Sequence, residues 1–176
     1  MNQTTKHRSP HWRLAKPSDI STIHRIADGV HAGLPERAEV LAEKVELFPE
    51  GCMLFDDDGI GVGYGISHPW MLDSIPDLDS FLRKLPSCPN CLYVHDVVVL
   101  PSAQGHHAAG AYLKLISEIA RRNEIDHLAL VSVYNTDRFW ASHGFRTVSD
   151  EKLHSKLGSY GETAKYMVCE LKRQGE

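Results

Sequence analysis

The stretch with the most chemical content is Tyr93-Val-His-Asp-Val-Val-Val-Leu-Pro-Ser-Ala-Gln-Gly-His-His-Ala-Ala-Gly110. A β-branched run, a tight loop of small residues and the start of an apolar-striped helix follow one another without a break. Backbone N–H groups of such a loop point outward and the helix dipole adds partial positive charge, so the segment can cradle an anion. Gly105 and Ala108-Ala109-Gly110 keep side chains away from that backbone. The same small residues would equally let the helix pack close to a sheet, and spacing alone does not separate the two readings. Just upstream, strand alternation puts Tyr93, His95 and Val97 on one face and Leu92, Val94 and Asp96 on the other. His95 thus carries an imidazole, which exchanges protons near neutral pH, close to the cradle. Its bland alternative is a sheet histidine satisfied by a neighbour. Asp96, on the opposite face, is expected to cap or orient rather than react.

Two further patterns look chemical and read as structural. Cys88-Pro-Asn-Cys91 has C-x-x-C spacing, but neither Cys52 nor Cys169 has a close Cys or His partner to complete a zinc site. A thioredoxin-like motif opens a helix, whereas this one runs straight into a strand. Gly59, Gly61, Gly63 and Gly65 alternate with Ile60, Val62, Tyr64 and Ile66. No helix follows, and Tyr64 or Ile66 fills the third glycine position of G-x-G-x-x-G, so a dinucleotide fingerprint is rejected. A strand face without side chains means instead that a helix, a ligand or a bend comes close to the backbone there.

The elements that must position these residues are readable from periodicity. A short strand over 12–15 precedes a helix with Ile20, Ile23, Ala27 and Val30 on one face. Pro35 opens a second helix with Ala38, Leu41, Val45 and Phe48 at helical spacing. Strands at 52–55 and 60–68 are joined by the Asp56-Asp57-Asp58-Gly59 turn. Residues 70–90 are irregular and Pro-rich, with one helical turn through 78–82; such an excursion is more often a lid or binding segment than a connector. A strand at 92–100 leads to the helix striped by Ala109, Leu113, Ile116 and Ala120. A strand at 127–133, a short helix at 135–142 and strands at 145–148 and 165–171 complete the chain. This order describes an α/β (α+β) fold, a central mixed sheet with helices on both faces.

With 176 residues, one domain over 1–176 is expected, residues 1–10 forming a flexible tail. Nineteen Lys and Arg against 23 Asp and Glu leave a net charge of −4, which argues against the basic footprint of a nucleic-acid binder. No apolar run approaches the roughly 18 residues of a membrane span, and no secretory apolar region opens the chain. A cytoplasmic protein with neither a nucleic-acid nor a membrane partner is the expectation.

In its motifs the chain resembles the GCN5-related N-acetyltransferase (GNAT) family. That family's acetyl-CoA motif is Q/R-x-x-G-x-G/A after a hydrophobic strand. Gln104-Gly105-His106-His107-Ala108-Ala109 is similar to it, with His107 where Gly is usual. Tyr134-Asn135-Thr-Asp-Arg-Phe139-Trp140-Ala-Ser-His-Gly144-Phe145 resembles the second signature, and Tyr160-Gly-Glu-Thr-Ala-Lys-Tyr166-Met resembles an ending of many bacterial members. The resemblance runs from Trp12 to Leu171. It implies a mostly antiparallel GNAT-like sheet and acetyl-CoA as co-substrate, with no metal. Backbone groups of Val97, Val98 and Val99 would bond the pantetheine arm, which Asn135 and Phe139 would flank. Loop amides of Gln104, Gly105, His106, His107, Ala108 and Ala109 would hold the pyrophosphate. His95 sits where some members carry a general base. Trp140 stands where the acid is usually Tyr, and an indole N–H cannot give up its proton usefully; Tyr160, then Tyr134, are the candidate acids. Tyr93, His68 and Trp70 would contact the acceptor, together with the segment from Leu34 to Arg37 and the excursion, whose Asp73, Asp77 and Asp79 would suit a cationic amine.

The activity so implied is direct transfer of an acetyl group from acetyl-CoA to a primary amine of a small molecule. The alternative is a non-catalytic acyl-CoA-binding or regulatory domain of the same fold. Homodimers are common among such folds, and nothing in these residues requires one.

Overall fold

The computed structural model describes residues 9–105 and 107–172; most of the expected N-terminal tail, and His106, lie outside the described residues. One sheet contains β1 (His11–Leu14), β2 (Cys52–Asp57), β3 (Ile60–Trp70), β4 (Cys91–Val99), β5 (His127–Ser132), β6 (Arg146–Thr147) and β7 (Lys165–Glu170), in the spatial order β1-β2-β3-β4-β5-β7-β6. All neighbours are antiparallel except β4 and β5. The helices are α1 (Ile20–Val30), α2 (Ala38–Leu47), α3 (Ala108–Arg122), α4 (Asp137–Ser142) and α5 (Glu151–Gly158). The apolar stripes of α1 and α2 bury Ile23, Ile26, Leu41 and Val45 against Tyr64 and Ile66 on one face. The stripe of α3 buries Leu113, Ile116 and Ala120 against Leu92, Val94 and Leu128 on the other. The fold is therefore a mostly antiparallel mixed sheet with helices on both faces.

The glycine-lined face of β3 is explained by α3. A β-carbon on Gly65 would stand 2.3 Å from the Tyr112 ring. That ring is fully buried, and its hydroxyl is fixed by the Gly51 carbonyl at 2.8 Å and Ser67 Oγ at 2.7 Å. The alternation itself does not run the whole strand: the register slips between Phe55 and Asp56 opposite Val62, and Gly61 faces Thr22 of α1.

Four local expectations are corrected. Helix α2 begins at Ala38 with Arg37 as its cap, because the backbone at Arg37 is still extended. Residues 78–82 are not helical; they are strapped to α2 by other means. The Glu43 carboxylate accepts from Leu82 N and Arg83 N at 2.7 and 2.9 Å, and Lys44 Nζ donates to the Ser80 carbonyl at 3.3 Å. Helix α5, capped by the Asp150 side chain on Lys152 N at 2.9 Å, had no counterpart in the sequence reading. Two of the three acids of the excursion are already paired within the protein: Asp77 pairs with Lys156, and Asp79 is held by Arg37 at 2.8 Å.

Candidate active site

Strands β4 and β5 pair only at Leu92–Leu128 and Tyr93–Ala129. Beyond that point they diverge, and a cavity of about 490 Å³ lies between them. Val97, Val98 and Val99 line its β4 side, and Leu130, Val131 and Tyr134 line the other. Gln104, Ala109, Val99 and Phe139 also line a second cavity of about 750 Å³ in front of α3, where Gly105, His107 and Ala108 form the floor. The two cavities thus meet at the N-terminus of a fifteen-residue helix.

The loop before α3 depends on left-handed backbone. Gly105 has φ +90 with open space where a β-carbon would sit. His107, the N-cap, has φ 51 and ψ 27, a region that L-residues occupy at a cost of about 1 kcal/mol and glycine occupies freely. Its side chain is exposed, so the substitution strains the backbone without filling the cradle. Trp12 Nε1 donates to the Ala108 carbonyl at 2.8 Å and pins the first turn. Lys114 and His143 stand beside this second cavity and escaped the sequence reading. The small floor, the free helix N-terminus and a lysine fit a pyrophosphate-bearing arm.

The register of β4 slips at the site. Ile66 pairs with Asp96 but Ser67 pairs with Val94, leaving His95 as the extra residue of a β-bulge. The bulge overturns the expected alternation. His95 and Asp96 both face the α1–α2 side, and Val97 packs with the α3 core instead of sharing the face of Tyr93. Two histidine–carboxylate pairs result, and neither was visible in the sequence. His95 Nε2–H donates to Glu36 Oε1 at 2.8 Å, across 59 residues of chain. His31 Nε2–H donates to Asp96 Oδ1 at 3.1 Å, and Asp96 Oδ2 accepts from the Tyr64 hydroxyl.

The charges of these pairs follow from their surroundings. Burial opposes ionisation of Glu36, but His95, then Lys44 and His31, outweigh it and hold the carboxyl down at about 2. Lys44 is wholly buried 3.8 Å from Glu36, and burial lowers its pKa. Burial also opposes a charged His31; its hydrogen bond to Asp96, with the charges of Asp96 and Glu36, wins and raises its pKa. His68 is buried behind His95, ring centroids 6.0 Å apart. Desolvation, then the His95 charge, pushes it to about 3, so it is neutral.

The other expected site residues fall as follows. Tyr160 lines the cavity, but its hydroxyl donates to the Pro76 carbonyl at 2.8 Å and accepts from Tyr93; burial and Glu36 raise its pKa. Tyr134 is half exposed and stacked on His31, centroids 5.7 Å apart. Tyr93 and His68 are buried behind the cavity wall and Trp70 packs edge-on against His68, so none of the three lines the cavity expected to take the acceptor. Asn135 is exposed and lines neither cavity, although its neighbours Tyr134 and Thr136 both line the one beside β4; Tyr134 and Asn135 both adopt positive φ. Trp140 Nε1 donates to Thr136 Oγ1 at 3.1 Å. Among the described residues no group of three or more His, Cys, Asp or Glu is arranged to hold a metal, and the cysteines are free.

A mixed sheet split between two parallel strands, with a cradle at the mouth of the split, is the acyltransferase type of α/β architecture implied by the motifs. The chain belongs to the acetyltransferase (GNAT) family, whose model matches residues 21–145. Its fold is similar to that of Ard1 from Thermoplasma volcanium (14% identity, 94% of this chain and 100% of that one, TM-score 0.70). It is also similar to the GNAT-like decarboxylase GphF in complex with isobutyryl-CoA (16% identity, 92% and 100%, TM-score 0.73). A third similar structure is Naa50 from Arabidopsis thaliana in complex with the bisubstrate analogue CoA-Ac-MVNAL (13% identity, 92% and 97%, TM-score 0.65). No curated protein sequence matches the chain.

Proposed function

We propose that the protein transfers an acetyl group from acetyl-CoA to a primary amine of a small molecule whose body is apolar and carries no acid group. The observation that carries this reading is the open edge of β4, which lines one cavity together with the His95–Glu36 pair, and that cavity meets the α3 cradle. The β4 backbone from Val97 to Val99 would bind the pantetheine arm as a strand, and a backbone N–H there would polarise the thioester carbonyl. His95, oriented by Glu36, would take the proton of the acceptor ammonium. Away from the cradle the wall is Val30, Leu34 and Leu78 with the rings of Tyr134 and Tyr160, and no lysine or arginine lines it. An acceptor carboxylate would thus meet Glu36 and Asp96 with no cation but the His31 imidazolium, which Asp96 already pairs, a largely like-charge desolvated contact.

The test is release of free thiol from acetyl-CoA with three acceptor sets: apolar monoamines, polyamines and amino acids. Apolar monoamines should give at least tenfold higher kcat/KM than their carboxylated counterparts. Preference for the carboxylated set would overturn the acceptor assignment, and no turnover despite acetyl-CoA binding would leave a binding domain.

A further inference from the structure

With Trp140 in the usual place of the acid and the Tyr160 proton committed to Pro76, two proton donors for the departing sulfur remain on the cavity wall, the half-exposed Tyr134 and His31. We infer that His31 is the one that acts, so that two histidine–carboxylate pairs in one cavity divide the proton traffic between them. The inference rests on the acyl-transfer reading above.

Three features of its position carry it. His31 is the C-cap residue of α1, its N–H on the Ala27 carbonyl at 2.7 Å. The partial negative charge at a helix C-terminus favours a cationic imidazole. Asp96 takes Nε2–H at 3.1 Å and is itself fixed by Tyr64 from β3. The remaining nitrogen, Nδ1, is buried without a hydrogen-bond partner among the described residues. An imidazolium N–H in that state gains a full hydrogen bond from whatever acceptor enters the cavity it lines. The groups that face the ring are Asp96 from β4, Glu36 from the segment before α2, and the Tyr134 ring after β5. Both charged ones are anionic, and their balance against burial raises the pKa of His31.

The step balances as follows. His95 removes one proton from the acceptor ammonium. The amine nitrogen bonds the carbonyl carbon, and the C–S bond breaks with its electron pair on sulfur. His31 Nδ1–H gives its proton to that sulfur. The surplus proton on the new amide nitrogen then restores His31, and the proton on His95 leaves to solvent. One acetamide, one thiol and one proton are the products.

His31→Gln keeps a donor toward Asp96 but cannot carry a proton. With both substrates saturating, wild-type kcat should fall on an alkaline limb. In H31Q that limb should vanish, with kcat down about 100-fold and the KM for acetyl-CoA within threefold. Y134F and Y160F should keep the limb. Retention of the limb in H31Q, or its loss in Y134F instead, overturns the inference, as does a kcat loss below about threefold. A titration by ¹⁵N-histidine NMR on the substrate-free protein needs no turnover. The resonance missing in H31Q should titrate above about 6.5, and D96N should lower it. A His31 that is neutral at pH 6.5 overturns the inference even if transferase activity is found. Absence of wild-type turnover with His31 still charged would instead sink the proposed function, and the acid role with it.

Discussion

At the residue scale the site is a set of imidazoles given different jobs by their neighbours. His95 is oriented by an ionised Glu36, so His95→Ala should lower kcat by about 100-fold or more while acetyl-CoA binding stays within threefold. Steady-state kinetics paired with equilibrium dialysis checks both halves. His68, wholly buried and held to about 3 against an ordinary 6.5, makes a stability prediction. Between those two values the unfolded chain binds the proton more readily than the folded one. The stability His68 permits is therefore complete above about pH 6.5 and is lost as pH falls toward 3. Glu36 acts in the same direction lower down, between its ordinary 4.5 and about 2. His68→Leu should flatten the slope of unfolding free energy against pH between 6 and 4 by about 1.4 kcal/mol per pH unit. Urea titrations at several pH values would show an unchanged slope if the buried imidazole were irrelevant.

At the element scale, the close approach of α3 to β3 is set by one missing side chain. Gly65→Ala should destabilise by about 1–3 kcal/mol, because the Tyr112 ring it meets is buried and tied at its hydroxyl. His107→Gly should do the opposite, relieving left-handed strain at the α3 N-cap by up to about 1 kcal/mol. Thermal melts of the two variants should move in opposite directions. Strands and long helices were legible because their apolar periods are strong. Helix α5 was not: Leu153 is its one buried residue, and seven neighbours of mixed polarity hide a stripe that narrow. The bulge at His95 was illegible for a different reason. Period-two reading assumes an unbroken ladder, and the slip is decided by pairing with β3. Once the ladder slips, Asp96 joins His95 on one face and finds His31, a pairing that local sequence does not encode. Glu36 lay inside the segment expected at the acceptor, but its partner 59 residues away became apparent only in three dimensions.

At the scale of the whole molecule, cofactor binding and stability are linked. Acetyl-CoA at 100 times its Kd should stabilise the fold by about 2.7 kcal/mol, which for a chain of this size raises Tm by roughly 5–10 °C. Differential scanning fluorimetry at millimolar acetyl-CoA decides it, and a flat response would remove the cradle from the argument. No helix among the described residues is long and apolar enough to cross a membrane. The split between β4 and β5 has one more consequence. Past Tyr93, β4 is an unpaired strand edge in the middle of a sheet, the kind of surface onto which any extended chain can zip and from which aggregates grow. The kink at His95 and Asp96 spoils straight pairing at one end, and Pro101 closes the other. Whatever lies along that edge during turnover also shields it. Light scattering during storage should therefore rise faster in ligand-free protein than in protein saturated with coenzyme, and the co-substrate would double as a guard against self-association.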